Sequence, residues 1–156
     1  MKKVMITILS VLFFLASKAQ VAEFLSLKST TAQKDSTGEF VQAKVWLIQE
    51  THIKFDLTKQ KLQFFSKGLL DRDSLTLIKE IFIISGTTSP HDDNERMISN
   101  FSGVDKAGRK CNVILSWIND EYKVQDGELR VQYADRTKIY KVRSVRQDPN
   151  FGSTAQ

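Results

Sequence analysis

The sequence predicts an all-β fold, a single antiparallel meander of about eight or nine short strands. Apolar side chains alternate with polar ones from Lys110 to Ser116, where only Ile114 breaks the pattern, and again from Glu128 to Tyr133. A period of two places one set of residues on a core face and the other in water. Turn-forming pairs, Asp126 with Gly127 and then Ala134 with Asp135, separate these runs. The residues expected to point inward here are Cys111, Val113, Leu115, Trp117, Leu129, Val131, Tyr133, Tyr140 and Val142.

Four strands are expected in the first half of the chain, over residues 23–31, 39–48, 51–57 and 61–66. In the first, Leu25 and Leu27 share a side. The last two form a hairpin, because their alternation is clean and a short polar connection joins them. The inward residues of this hairpin are Ile53, Phe55, Leu57, Leu62 and Phe64, with Asp56 pointing out.

The 39–48 stretch has apolar residues on both faces. Its alternation puts Val41, Ala43, Val45 and Leu47 on the core face. Trp46 and Ile48 then fall on the opposite face. Either a bulge redirects these two side chains or they form an outer apolar patch.

Residues 71–84 can be interpreted in two ways. Asp71 or Asp73 could cap a helical turn over residues 74–80. The β-branched and aromatic run from Ile81 to Ile84 favours a strand instead, and we predict a strand over residues 75–84.

The next segments are more regular. Residues 87–95 have the composition of a loop. A strand with Phe101 at its centre is expected over residues 97–104. Asp105 to Gly108 has the signature of a type I turn followed by a glycine bulge.

Many short strands without a convincing helix indicate a barrel or a sandwich. Consecutive hairpins favour an up-and-down order, and eight or nine such strands can close and remove their exposed edges. We therefore favour a lipocalin-like barrel, with a β-sandwich as the alternative.

Residues 1–19 have the composition of a secretory signal peptide. Lys2 and Lys3 give a positive start, an apolar run follows from Val4 to Ala16, and small residues stand at the cleavage positions before Gln20. The apolar run is shorter than the about 20 residues that span a bilayer. We expect export to the periplasm or the medium, with no membrane span after cleavage.

Composition limits the function classes. The whole chain has a net charge of +5, and loss of Lys2, Lys3 and Lys18 with the signal leaves +2. So small an excess gives little support for nucleic-acid binding. Cys111 is the single cysteine, so no intrachain disulfide can form. We expect one all-β domain over residues 20–146 and a disordered tail over residues 147–156.

Candidate catalytic and metal-binding groups are few. His52 falls on the polar face of a strand, where a solvated histidine is the ordinary interpretation. His91 to Glu95 offers oxygen and imidazole ligands, but without the spacing of a calcium loop. No phosphate-binding loop, nucleophile elbow or zinc pattern is present. We therefore predict no catalytic residue, no metal and no cofactor.

The inward aromatic residues are the main candidates for a ligand site. In a small barrel, such side chains either fill the interior or line a cavity. The hydroxyls of Tyr133 and Tyr140 need partners when buried. The predicted ligand-binding residues are Phe55, Trp117, Tyr133 and Tyr140, and the predicted partner surface is Trp46, Ile48 and Phe65.

The stretch from Phe101 to Val142 resembles a set of small exported bacterial all-β proteins of unknown function. The shared features are a D-x-x-G-x-x-C turn, here at Asp105, Gly108 and Cys111, and an L-x-V-x-Y strand ending at Tyr133. Trp46 and the Ile53–Phe65 hairpin are similar too. The resemblance covers roughly the mature domain and implies a single all-β domain, with no activity attached.

Three functions remain open from the sequence. The leading hypothesis is a non-enzymatic exported module that binds a small apolar ligand or a protein partner. The alternative is an extracytoplasmic hydrolase acting on glycan or peptide. A cavity lined by the inward aromatics favours a ligand, a filled interior with an apolar outer patch favours a partner, and a cleft with perturbed titratable groups favours an enzyme. The oligomeric state is left open.

Overall fold

Nine antiparallel strands make up the computed structural model, which describes residues 21–67, 74–90, 96–118 and 127–147. Alternating apolar residues form the strands, and short polar turns join several of them. The strands are β1 (Val21–Lys34), β2 (Phe40–Gln42), β3 (Leu47–Asp56), β4 (Lys61–Lys67), β5 (Leu75–Pro90), β6 (Arg96–Asp105), β7 (Lys110–Ile118), β8 (Gly127–Gln132) and β9 (Arg136–Gln147).

Eight of these strands form a closed barrel. They follow the order β1-β3-β4-β5-β6-β7-β8-β9, and β9 pairs back onto β1, with Ser26 opposite Val142 and Ser29 opposite Tyr140. The short strand β2 is added to the far end of β1, next to Ala32–Lys34. Closure leaves the eight barrel strands without a free edge. The predicted all-β meander and lipocalin-like barrel are confirmed.

The interior is filled by apolar side chains over most of its length. Phe55 and Phe101 pack with ring centroids 4.8 Å apart, and Phe64 packs against Tyr140 at 5.2 Å. Such large inward rings leave the centre of the barrel without room for a ligand. The buried cluster comprises Ala22, Phe24, Ile53, Phe55, Leu62, Phe64, Ile81, Ile83, Phe101, Cys111, Val113, Leu115, Trp117, Leu129, Val131, Tyr133, Tyr140 and Val142.

The predicted turn at Asp105 is present. Gly108 donates its backbone N–H to the Asp105 carbonyl at 2.9 Å, and its φ of 78° is in the left-handed region that favours glycine. A second turn of the same kind joins β1 to β2, where Gly38 has a φ of 85°. The Ala134–Asp135 pair also forms the expected tight connection, in which Tyr133 N–H donates to the Arg136 carbonyl.

Strand β1 has a bulge that its sequence does not reveal. The pairing of β1 with both neighbours shifts between Ser26 and Lys28, which leaves Leu27 half exposed. Before the bulge, the buried positions are Ala22, Phe24 and Ser26, not the positions of Leu25 and Leu27. The strand is also longer than expected at both ends.

The single strand expected over residues 39–48 is wrong. Residues 43–46 instead leave the sheet, and Thr30 Oγ1 donates to the Val45 carbonyl at 3.0 Å. This contact draws the segment across the outside of β1. Val41 and Val45 therefore lie in solvent, 56% and 77% exposed, and Ala43 is exposed as well.

Two smaller expectations also need correction. Asp56 was expected in solvent, but it is buried and accepts a hydrogen bond from the Lys59 N–H at 2.9 Å. Strand β5 continues through Thr87–Pro90, which composition assigned to a loop, because these residues pair with Met97–Asn100 of β6. The predicted strand over residues 75–84 is correct, and no helical turn is present at 74–80. Asp71, Asp73 and residues 91–95 lie outside the described residues.

Gly86 is required by the packing of Phe101. A Cβ atom at residue 86 would lie 2.2 Å from Cδ1 of the Phe101 ring, which crosses this backbone. We expect Gly86→Ala to lower the free energy of unfolding by about 1–3 kcal/mol, because the ring must leave its place in the core. Urea denaturation measures the change. Thr87→Ala, on the exposed side of the same strand, is the control, and Phe101→Leu in the Gly86→Ala background recovers part of the loss. An unchanged Gly86→Ala midpoint contradicts this packing.

Candidate functional site

One end of the barrel interior differs from the rest because polar and charged side chains point into it. The 105–108 and 133–136 turns lie at this end, which we call the mouth. Directly paired residues of antiparallel strands share a face, so the pairing register identifies the inward positions. Lys79 is opposite Phe64, Lys138 opposite Val131, Leu47 opposite Ser29 and Thr76 opposite Ser66. The mouth consists of Leu47, Thr76, Lys79, Tyr133, Lys138 and Tyr140.

The mouth is accessible to solvent, whereas the centre of the barrel is not. Leu47 is 52% exposed and Thr76 is exposed, although both face inward by register. Lys79 and Lys138 are half-buried. Phe55, Leu62 and Val131, deeper in the barrel, are fully buried. Solvent-accessible inward positions at this end therefore lie above a packed apolar interior.

Asp105 anchors one wall of the mouth. Its Oδ1 accepts backbone hydrogen bonds from Ala107 at 2.9 Å and Arg109 at 3.0 Å. Its Oδ2 accepts the Arg109 guanidinium at 2.8 and 2.9 Å and the Tyr133 hydroxyl at 3.1 Å. Burial by itself raises the pKa of this carboxyl, but these hydrogen bonds outweigh it and hold the pKa at about 2. Asp105 is therefore an ionised structural group.

Lys79 places its amine among aromatic rings. Its Nζ lies 4.7 Å from the centroid of the Tyr133 ring and 5.7 Å from that of Phe64, which suits a cation on a π face. The pKa of this amine is lowered to about 8, chiefly by burial and also by the nearby Arg109 and Arg136, while Cys111 and Asp105 act in the opposite direction. The amine is protonated at neutral pH, but less strongly than a surface lysine.

Lys138 repeats this arrangement on β9. Its Nζ lies 6.0 Å from the centroid of the Tyr140 ring, and burial lowers the pKa of the amine. Burial also raises the pKa of the Tyr140 hydroxyl to about 12 and that of Tyr133 above its ordinary value. Both tyrosines are neutral and can donate hydrogen bonds at any physiological pH.

The four predicted ligand-binding residues fall in two places. Phe55 and Trp117 belong to the filled interior, and Tyr133 and Tyr140 line the mouth. Among the predicted partner-surface residues, Ile48 is 87% exposed and Trp46 is half-buried, with Lys28 Nζ 5.4 Å from its ring centroid. Phe65 lies further along the same outer wall, opposite His52.

The sequence interpretation missed both lysines. Lys138 stands two residues before Tyr140 and four before Val142, so the three side chains point to the same, inward face of the strand. That spacing could have identified Lys138 from the sequence. Lys79 was hidden by a second bulge. The pairing of β4 with β5 shifts between Phe64 and Phe65, so Ile78 is an extra residue and the phase changes there.

Two shallow clefts occur on the outer wall and share Ile114, the residue that breaks the alternation of β7. One, of about 390 Å³, is lined by uncharged polar residues such as Asn100 and Asn112. The other, of about 330 Å³, is lined by both charge signs, including Arg130 and Glu128.

No family model, curated protein or solved structure matches this chain. Within the described ranges, no group of three or more His, Cys, Asp or Glu side chains is placed to hold a metal ion. Nor does any helix in those ranges have the length and hydropathy needed to cross a bilayer. The fold and the site together define a closed, mostly filled antiparallel barrel with lysine and aromatic side chains facing inward at one end.

The pKa of Asp105 predicts how stability depends on pH. Because the folded-state pKa of about 2 lies below the ordinary 3.8, the carboxylate stabilises the fold above about pH 4 and loses that effect as pH falls towards 2. We expect Asp105→Asn to lower the free energy of unfolding by about 2–3 kcal/mol at pH 7 and to remove this acid-dependent part. Denaturation curves from pH 2 to 7 test it, with the exposed Asp135→Asn as control. Equal stabilities of wild type and Asp105→Asn at pH 7 contradict the assignment.

Proposed function

We propose that the mature chain is an exported, non-enzymatic binding module whose small ligand, with an apolar part, occupies the mouth. One observation carries the proposal: the inward-facing Leu47, Thr76, Lys79 and Lys138 at this end are exposed or half-buried, whereas Phe55, Leu62 and Val131 further along the interior are fully buried. Ligand sites combine apolar walls with a few convergent polar groups. The rings of Tyr133 and Tyr140 and the side chain of Leu47 supply the walls, and the two lysines supply the polar groups.

The proposal places the ligand at the end of the barrel and not around Phe55 and Trp117. Those two side chains are packed against the interior, and a ligand there would have to displace close-packed rings. At the mouth, an apolar group can cover part of Leu47 and the tyrosine rings without such displacement. The signal-like residues 1–19 support an extracytoplasmic location.

Several features support binding over hydrolysis. Asp105 already accepts hydrogen bonds at both oxygens, which leaves it poorly suited to act as a base. Burial raises the pKa of the Cys111 thiol, which disfavours a nucleophilic thiolate. His52 lies on the outer wall, with Nε2 2.8 Å from Glu50 Oε1, and so faces away from the mouth.

A tryptophan that fills the mouth tests the proposal. Thr76 faces inward and Leu75 faces outward on the same strand, so Thr76→Trp and Leu75→Trp form a matched pair. Each protein is purified from its source cells without denaturation and measured by native mass spectrometry. We expect a bound small molecule in wild type and in Leu75→Trp. Thr76→Trp loses it, because the added indole takes its place. Retention in both variants, or a bare mass in all three proteins, contradicts a ligand at the mouth.

A protein partner on the outer wall is the second candidate. Ile48 is almost fully exposed, and Leu27 and Val45 expose apolar side chains in the same β1–β3 region. Exposed aliphatic groups gathered in one region are typical of an interaction surface. The Glu50–His52 pair separates this region from Phe65, so the three predicted partner residues do not form one continuous patch.

The partner hypothesis predicts the effect of one charge. We expect Ile48→Glu to abolish a complex that wild-type protein forms in its source cells, since a carboxylate cannot be buried against an apolar partner surface without a large desolvation cost. Val145→Glu, at an exposed apolar residue on another strand, keeps the complex. Crosslinking in intact cells followed by mass spectrometry compares the three proteins. An Ile48→Glu complex as abundant as that of wild type excludes this surface.

A further inference from the structure

We propose that the ligand of the mouth carries an anionic group, a carboxylate, sulfate or phosphate, held between Lys79 and Lys138. This inference rests on the function proposed above and specifies the chemistry of its ligand. It follows from where the two amines lie in the barrel, from the absence of acidic partners for them, and from the aromatic surface beneath them.

The two lysines lie on opposite walls of the barrel. In the closed order of eight strands, β5 and β9 are four strands apart in either direction. Lys79 of β5 and Lys138 of β9 both face inward by register. Two cations that face each other across the mouth create a positive field between them, which is where an anion is most strongly attracted.

Neither amine has an acidic partner in the part of the chain that the structure describes. Several outward-facing lysines do have such partners: Lys141 Nζ lies 2.7 Å from Glu128 Oε2, and Lys61 and Lys106 flank Glu80. Asp105, the carboxylate that faces Lys79, is bonded to Arg109 instead. The positive charge of the mouth is therefore left for a ligand to neutralise.

The aromatic rings explain how the free protein tolerates these charges. Lys79 rests on the rings of Phe64 and Tyr133, and Lys138 rests on that of Tyr140. Because Phe64 also packs against Tyr140, the rings form a continuous floor between the two amines. Burial has removed part of the water around the two amines, and a bound anion can take the place of that water. An apolar tail on the same ligand can pack against the aromatic floor and Leu47. The expected ligand class is therefore a small amphipathic anion.

Binding of an anion is coupled to protonation of Lys79. The charged and titratable groups that face this amine are Asp105 of β6, Arg109 of the adjoining turn, Cys111 of β7, Tyr133 after β8 and Arg136 of β9. A bound anion favours the protonated amine, so affinity is greatest below about pH 8 and falls as pH rises through the pKa of Lys79.

Isothermal titration with three eight-carbon probes tests the ligand class. Octanoate and octyl phosphate carry the anion, and 1-octanol has the same chain without the charge. We expect both anions to bind to wild type, and 1-octanol to bind about tenfold more weakly or worse. We expect Lys79→Met and Lys138→Met each to weaken the anions about tenfold, whereas the exposed Lys110→Met leaves them unchanged. Lys79→Arg keeps the charge, so it retains binding even if the methionine variant proves unstable.

The same titrations measure the coupled proton. Octanoate binding at pH 8.5, repeated in two buffers of different ionisation enthalpy, should show proton uptake in wild type and a smaller uptake in Lys79→Met. Amide chemical shifts on octanoate addition should change at Lys79, Tyr133, Lys138 and Tyr140.

Each outcome has a distinct meaning. If 1-octanol binds at the mouth as tightly as octanoate, and neither methionine variant alters binding, the anionic class is wrong and the mouth remains a ligand site. Anion binding that shifts residues elsewhere, or that survives both methionine substitutions, also overturns the inference. If no probe binds and Thr76→Trp leaves the native mass unchanged, the proposed function fails together with it.

Discussion

Closure of β9 onto β1 is the constraint on which the rest of the structure depends. Backbone hydrogen bonds between these strands complete the ring and remove the exposed edges that a meander would otherwise have. The same closure brings strands distant in sequence to opposite walls. It also fixes the register across the ring, and a shift of one residue would turn every inward side chain outward. The bulge at Leu27 adjusts the phase of β1 to both neighbours at once.

Closure divides the interior into two chemically different regions. Over most of its length the inward residues are large and apolar, and their packing against one another stabilises the fold. At the mouth the inward residues are lysine, tyrosine, threonine and leucine, and Asp105 holds Tyr133 in place through its hydroxyl. The apolar region supplies stability and a rigid support. The polar region can then carry half-buried charges on aromatic rings that the core holds in place.

The alternation of apolar and polar residues predicted the inward side chains correctly in strands that have no bulge. From Lys110 to Tyr133 every expected inward residue of β7 and β8 is buried, and the Asp105–Gly108 turn followed from its residue types alone. The same reasoning failed at residues 39–48. Thr30 binds the backbone of residues 43–45 from outside the barrel, and no local pattern contains that long-range hydrogen bond. Tyr133 and Tyr140 were identified from sequence as ligand candidates, but the lysines beside them were not.

The sequence by itself determined the fold class, the Asp105–Gly108 and Ala134–Asp135 turns and most of the core, because these depend on residue types at short and regular spacing. Tertiary structure decided which inward residues fill the barrel and which surround its open end. That distinction depends on bulges at Leu27 and Ile78, which change the phase of a strand without a sequence signal. It depends also on ring closure, which sets Lys79 opposite Lys138 although 59 residues of chain separate them.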